Sequence, residues 1–373
     1  MKKTLIAVAA LAATGAFAQV SLGGIAKVGV STFEATGATA GAAADVQQRT
    51  RIHDNSSRIF LSVNEDLGGG NHAAFYCETG INIDTGNKNG QAATENVNSS
   101  EWCSREGRLV LGNKLAELRL GRQNVWWTQG QFSDTGSTWL ATSLDSNFFT
   151  GGVGQYGVRI ENMAMLNMNG GAGGFAGSQV YYAITNANES TAAGSSAKGN
   201  ASGFKLNYKA GNAIAAIDQQ SSRDIGTLNR DAWRLSLGYL YSPDSVVSLQ
   251  YWNKERTDST GAAYSSSAGA GKDTGYVLNV KHAMGNVKLF AQYAIANNIT
   301  NTTTGEKADS GAKGWQLGVN YMLSKRTNVY ATYLNIANDA NATYNLSGGN
   351  YSSANAGAGS AVRSTAVGIQ HSF

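Results

Sequence analysis

Proline is almost missing, with 1 in 373 residues, and cysteine nearly so, with 2. Charge is also scarce. Asp, Glu, Lys and Arg make up 14% of the chain, against roughly 25% in an ordinary soluble domain. Long apolar runs are missing past the N-terminus. A membrane-crossing helix needs about 20 consecutive apolar residues, so a helical membrane protein is excluded. Yet the chain is not oily, with a mean hydropathy of −0.25.

Chemical constellations are sparse as well. The 4 histidines (His53, His72, His282 and His371) have no ligand spacing, so no metal is implied. Ser and Asp abound without a nucleophile spaced from its base. Gly152, Gly154 and Gly157 spell a dinucleotide-type glycine pattern. It follows no hydrophobic strand and opens no helix, so it cannot cradle a pyrophosphate. No cofactor is implied, and the chain is not expected to be an enzyme. The formal charge of +4 falls to +2 without Lys2 and Lys3, at 27 basic against 25 acidic residues. So small an excess carries no signal for nucleic acid.

What is present is glycine (46), tyrosine (16) and tryptophan (7). The first 18 residues read as a signal peptide. Lys2 and Lys3 form a basic start, Leu5–Ala13 a short apolar stretch, and Ala16-Phe17-Ala18 a small-x-small cleavage site. The mature chain is then 19–373, read as one barrel with no internal boundary. Cys77 and Cys103 flank one expected hairpin and meet oxidising conditions after export. Spacing alone leaves a disulfide and two unpaired thiols both open.

After residue 19 the dominant signal is alternation with period two, in runs of about ten residues. Trp233, Leu235, Leu237, Tyr239 and Tyr241 alternate with Arg234, Ser236, Gly238 and Leu240. Similar runs are Val287–Ile295, Trp315–Tyr321 and Ile59–Val63. In a strand, such sets face opposite sides of the sheet. Aromatics recur near strand ends (Tyr239, Tyr241, Tyr251, Tyr293, Tyr321, Tyr333), and the other face is too polar and glycine-rich to pack a large core. The expected arrangement is apolar outside and polar inside.

Connectors alternate in length. Short ones at Asp66–Gly70, Gly112–Lys114, Gly170–Gly174, Gly211–Asn212, Ser242–Ser245, Met284–Asn286 and Leu323–Arg326 separate long polar ones. The long ones are Glu34–Arg49, Thr85–Asn98, Asn186–Asn200, Asp258–Lys272, Asn297–Gly311 and Asn338–Ser360. Counting runs predicts an all-β, transmembrane antiparallel β-barrel of about 16 strands in an outer membrane, an even number as such barrels require. The last strand ends on Phe373, a terminal aromatic of the kind presented to the outer-membrane insertion machinery.

By strand phase, Lys27, Arg58, Arg105, Arg119 and Arg159 project into the lumen, with Glu78, Glu117 and Glu161 softening their field. A pore selects by size and by the charges at its narrowest ring, so these residues are the candidates for selectivity.

Val20–Phe33, Ser57–Gly70 with its EDLGGG turn, Leu118–Gln123 (LRLGRQ), Met322–Tyr333 and Val367–Phe373 resemble the trimeric general porins of Gram-negative bacteria. The similarity is to the beta-proteobacterial branch that includes neisserial and comamonad porins. This resemblance implies a homotrimer in outer-membrane lipid and lipopolysaccharide, passing small anions and hydrophilic solutes. It also implies a third loop folded into the lumen, which falls on Asn124–Tyr156. There Trp126, Trp127, Phe132, Trp139, Phe148 and Phe149 would pin the loop, while Asp134 and Asp145 line its open side. Arg58, Arg105 and Arg159 match an arginine ladder facing that loop in anion-preferring relatives. Glu106, next to Arg105, departs from the pattern and weakens the expected anion preference to a mild one. The reading is a general diffusion porin, and its rivals are an outer-membrane adhesin or a barrel enzyme.

Overall fold

The computed structural model describes residues 19–84, 102–125, 132, 144–150, 159–184, 199–225, 228–258, 271–301, 305–346 and 357–373. The expected signal peptide, Asp134 and most of the long connectors lie outside them.

The fold is a closed antiparallel barrel. Strand β1 is Gln19–Thr36 and β2 comes in two pieces, Val46–Asp54 and Arg58–Gly68. Then follow β3 (Asn71–Gly80), β4 (Glu106–Asn113), β5 (Ala116–Asn124), β6 (Arg159–Met168), β7 (Gln179–Ile184) and β8 (Asn200–Ala210). The second half comprises β9 (Ala213–Ile225), β10 (Leu228–Ser242), β11 (Ser245–Asp258), β12 (Gly271–Met284), β13 (Val287–Ala296), β14 (Ala312–Met322), β15 (Thr327–Asn338) and β16 (Ala361–Ser372). Each strand pairs with the next, and β16 returns to β1 from Ile25↔Ser372 to Thr36↔Ala361. Closure leaves no unpaired edge, which a sheet in hydrocarbon requires. The two pieces of β2 pair with successive halves of β1, separated by a break at Asn55–Ser57 where Ser56 has φ 67°. A short ladder of Thr300–Asn301 with Gly305–Glu306 decorates the β13–β14 connector.

The alternation has its expected sense. Leu22, Leu237, Tyr239, Leu317 and Tyr321 are exposed on the outer face, while Arg234, Ser236, Gln316 and Asn320 are buried on the inner one. Short turns lie at one end of the barrel, with both ends of the described chain. In the β2–β3 turn, Gly68, Gly69 and Gly70 all have φ between 63° and 82°, a left-handed run that glycine adopts freely. This explains the EDLGGG motif. Two connectors differ from expectation. Both ends of Glu34–Arg49 are strand, because β1 runs to Thr36 and β2 starts at Val46. The inner face there is buried through Ala35 and Val46, isolated apolar residues among polar ones that make no run of alternation to read. At the long-loop end, β9 and β10 meet in a tight hairpin, Ile225↔Leu228.

The outer face is uneven around the ring. Among the described strand residues, outward Tyr and Trp occur only on β7–β15, as with Tyr182, Tyr208, Tyr239, Tyr276, Tyr293 and Trp315, while the exposed Trp102 lies in the β3–β4 connector. The arc from β16 through β1 to β6 instead exposes Val20, Leu22, Ile52, Leu109, Leu120 and Ile369.

Apolar packing sits between the inner wall and inserted chain. The connector between β5 and β6 carries helix α1 (Leu144–Thr150). Leu144, Phe148 and Phe149 pack on Trp252, Val277, Ala294, Leu334 and Ile336 of β11–β15, with Tyr344 from the last long connector. Phe132, in the same connector, packs on Ile214 and Ala216 of β9 and Val246 of β11. A segment that leaves β5 and touches β9–β15 must cross the lumen. The folded-in loop expected at Asn124–Tyr156 is therefore where the described residues place it.

Candidate functional site

The inserted helix is tied to the wall by polar groups from several strands. Oε1 of Gln292 and Oε1 of Gln316 each accept from the Leu144 N–H at 2.9 Å. Lys254 Nζ donates to Phe148 O at 3.1 Å and Phe149 O at 2.8 Å. The same ammonium lies 3.2 Å from Asp273 Oδ2, and Trp252 Nε1 donates to Asp273 Oδ1 at 3.0 Å. A cation at the last carbonyls of a helix also complements its dipole.

Across the ring from α1, the inner face of β2–β5 carries a strip of ion pairs. Paired residues of antiparallel strands share a face, so the register fixes which side chains join it. Arg58 stands opposite Gly80, Glu78 opposite Glu106, and Tyr76 opposite Arg108. Glu78 is the centre of the strip. Its Oε1 accepts from Arg105 Nε at 2.7 Å and its Oε2 from the Tyr76 hydroxyl at 2.8 Å, with Arg58 Nε 3.7 Å away. Arg108 pairs with Glu106, and its guanidinium carbon lies 4.3 Å from the Tyr76 ring centre. Arg119 donates from Nε to Glu117 Oε2 at 2.8 Å, and His72 Nε2 lies 3.4 Å from Glu117 Oε1. The strip thus sets four guanidiniums (Arg58, Arg105, Arg108, Arg119) against three carboxylates (Glu78, Glu106, Glu117). Arginine keeps its charge at neutral pH, so the strip has a permanent positive excess.

Lys27 also lies on the inner phase, but it is buried at the break in β2, with Nζ 5.2 Å from the Tyr330 ring centre. Arg159 is corrected. Asn162 has φ 53° and forms a bulge, so that Gly121↔Met163 is followed by Gln123↔Ile160. The extra residue reverses the phase. Arg159 therefore stands opposite Asn124, on the face of Arg122 rather than that of Arg119. Glu161 follows it there and accepts from Arg122 Nη1 at 2.9 Å. Asp134 is outside the described residues, and Asp145 falls within α1 with its side chain outside them. Sequence reasoning missed Arg108, whose alternation with Leu109 was a usable signal. It also missed Lys254 and Asp273, for which no local signal exists. The sulfurs of Cys77 and Cys103 are 2.06 Å apart, in a disulfide.

A model of the Gram-negative porin family matches residues 4–341. This chain belongs to the Gram-negative porin family. The porin is 28% identical to outer membrane porin protein 32 of Delftia acidovorans, over 100% of both chains. Among solved structures it resembles an anion-selective porin from Comamonas acidovorans, with a TM-score of 0.66 at 23% identity, covering 96% of this chain and 100% of that one. It also resembles the trimer form of OmpT of Vibrio cholerae, with a TM-score of 0.63 at 13% identity, over 95% and 99% of the two chains. The porin resides in the outer membrane and is a passive diffusion pore.

Proposed function

We propose that this porin prefers anions mildly, and that the preference is set where α1 narrows the lumen opposite Arg58, Arg105, Arg108 and Arg119. The observation that carries the reading is the excess of four guanidiniums over three carboxylates within the ion-paired strip. In a narrow aqueous passage, low-dielectric walls focus this field and raise the local anion concentration. The paired carboxylates keep the preference mild. Lys27 contributes from deeper in the wall. Small anions and small hydrophilic solutes are the cargo, and the related Comamonas porin is itself anion-selective. Planar-bilayer recording under a salt gradient tests this. A reversal potential of the chloride-selective sign is expected, and a cation-selective sign would overturn it.

We further propose a homotrimer. Tyr and Trp anchor barrels at the lipid headgroups, and their lack on the outer face of β16 and β1–β6 suits an arc covered by a second copy. A shallow apolar groove at the β15 edge of this arc is lined by Val28, Val30, Ile52, Val367 and Ile369 of the arc and by Val329 of β15. The girdled arc β7–β15 then meets lipid and lipopolysaccharide. Residues 1–18 act as the export signal, and Phe373, its ring exposed at the end of β16, is offered to the insertion machinery. Native electrophoresis at the mass of three chains, falling to one on heating, is the expected outcome.

A further inference from the structure

We propose that the Cys77–Cys103 disulfide, on the outer face of the wall, is a positioning element for charges on the inner face. It holds Arg105 against Glu78 and so sets the ion preference of the pore. This rests on the charge reading given above.

Neighbouring residues of a strand face opposite sides. On β3, Glu78 faces the lumen and Cys77 faces outward, in register with Leu61 of β2 and Gly107 of β4. Cys103 lies over that same outer position. A side chain added at Gly107 would place its Cβ 2.9 Å from the Cβ of Cys103. Two residues later, Arg105 has passed to the inner side and lies beside Gly80. Between Cys103 and Arg105 the chain therefore crosses the rim of the wall, and one end of the crossing is covalently fixed.

The crossing needs holding. Cys103 has φ 62°, a left-handed conformation that costs a residue other than glycine about 1 kcal/mol or more. Three hydrogen bonds support the segment: Cys103 N–H to Thr79 Oγ1 at 2.9 Å, Arg122 Nε to Ser104 O at 2.9 Å, and Arg105 N–H to Glu78 O at 3.0 Å. The disulfide links the residue before Glu78 to the residue two before Arg105. The geometry of one outer bond thus fixes the separation of two inner charges. With Arg105 swung away, the strip falls from four guanidiniums over three carboxylates to three over three. Its positive excess is then gone.

The experiment compares Cys77→Ser/Cys103→Ser, which changes no charge, with Arg105→Ala and with the wild type. Reversal potential is recorded in planar bilayers under a potassium chloride gradient, and assembly is followed by the heat-dependent gel shift. Should the serine variant fail to assemble, folded wild-type protein is treated with dithiothreitol. That dithiol closes to its own cyclic disulfide as Cys77 and Cys103 become two thiols. In the expected result, the serine variant or the reduced protein forms intact barrels whose chloride preference falls toward that of Arg105→Ala. If they keep the wild-type reversal potential while Arg105→Ala shifts it, the disulfide has no positioning role and the charge reading stands. If Arg105→Ala also leaves it unchanged, the charge reading fails and this proposal fails with it.

Discussion

Lys254 Nζ and Asp273 Oδ2 stand 3.2 Å apart, and neither side chain is exposed to solvent. The pair joins β11 to β12, while the ammonium also holds the carbonyls of Phe148 and Phe149. Wall and inserted loop therefore share one buried cation. Lys254→Met keeps the side-chain bulk but takes the ammonium away from the buried Asp273 carboxylate, which keeps its Trp252 bond. Removing one member of such a pair costs about 3–5 kcal/mol. The expected consequence is undocking of α1, read as lost hydrogen-exchange protection of residues 144–150 while the barrel strands remain protected. Unchanged protection would show that the apolar contacts of Leu144 and Phe148 hold the helix alone.

Gly275 has no room for a side chain. An added Cβ would collide with the Trp252 ring on one side and the Ile295 carbonyl oxygen on the other. The ring can move only by giving up its bond to Asp273. Gly275→Ala is expected to cost about 1–3 kcal/mol, as overpacking does. A lower temperature for the gel shift from folded to unfolded barrel checks it.

Arg119 and Arg159 separate the two possible faces of the wall. Arg119→Ala removes a guanidinium from the inner strip, and reversal potential under a salt gradient is expected to move toward cation preference. Arg159→Ala, on the face of Arg122, is expected to leave it at the wild-type value. A shift for Arg159→Ala as large as that for Arg119→Ala would place both in one field.

The two arcs of the outer face are expected to respond differently to charge. Leu237→Arg lies on the girdled arc, where an arginine facing lipid costs up to about 2–4 kcal/mol at mid-depth. It should lower barrel stability and leave the trimer intact. Ile52→Arg lies on the arc assigned to the subunit contact and should yield heat-shiftable monomers on native gels. Trimers persisting with Ile52→Arg would move the contact elsewhere on the ring.

Much of this was legible beforehand. Runs such as Trp233–Tyr241 placed their strands because lipid outside and water inside impose period two directly on the residues. The EDLGGG turn was legible because only glycine runs easily through successive left-handed positions. Arg58 and Arg119 could be placed by counting phase within one strand, whereas Arg105 precedes β4, out of phase with Glu106 and Arg108, and reaches the inner face only where the chain crosses the rim. Arg159 could not, because one bulged residue at Asn162 reverses the count and no residue type announces it. Lys254 reads in sequence as one more polar residue facing the lumen. It became an anchor only because the β5–β6 connector crosses the ring to reach it.

The sequence by itself determined the class of protein, an exported barrel with an apolar exterior and a charged lumen. Solvent acts on each residue separately, so alternation, glycine turns and connector lengths record it locally. The tertiary structure alone decided which charges meet. Glu78 gathers Arg58, Arg105 and Tyr76 from two strands and a connector, and Lys254 takes carbonyls more than one hundred positions away in the chain. Such pairings depend on register, on a single bulge and on ring closure, which bring distant residues to within a few ångströms of one another.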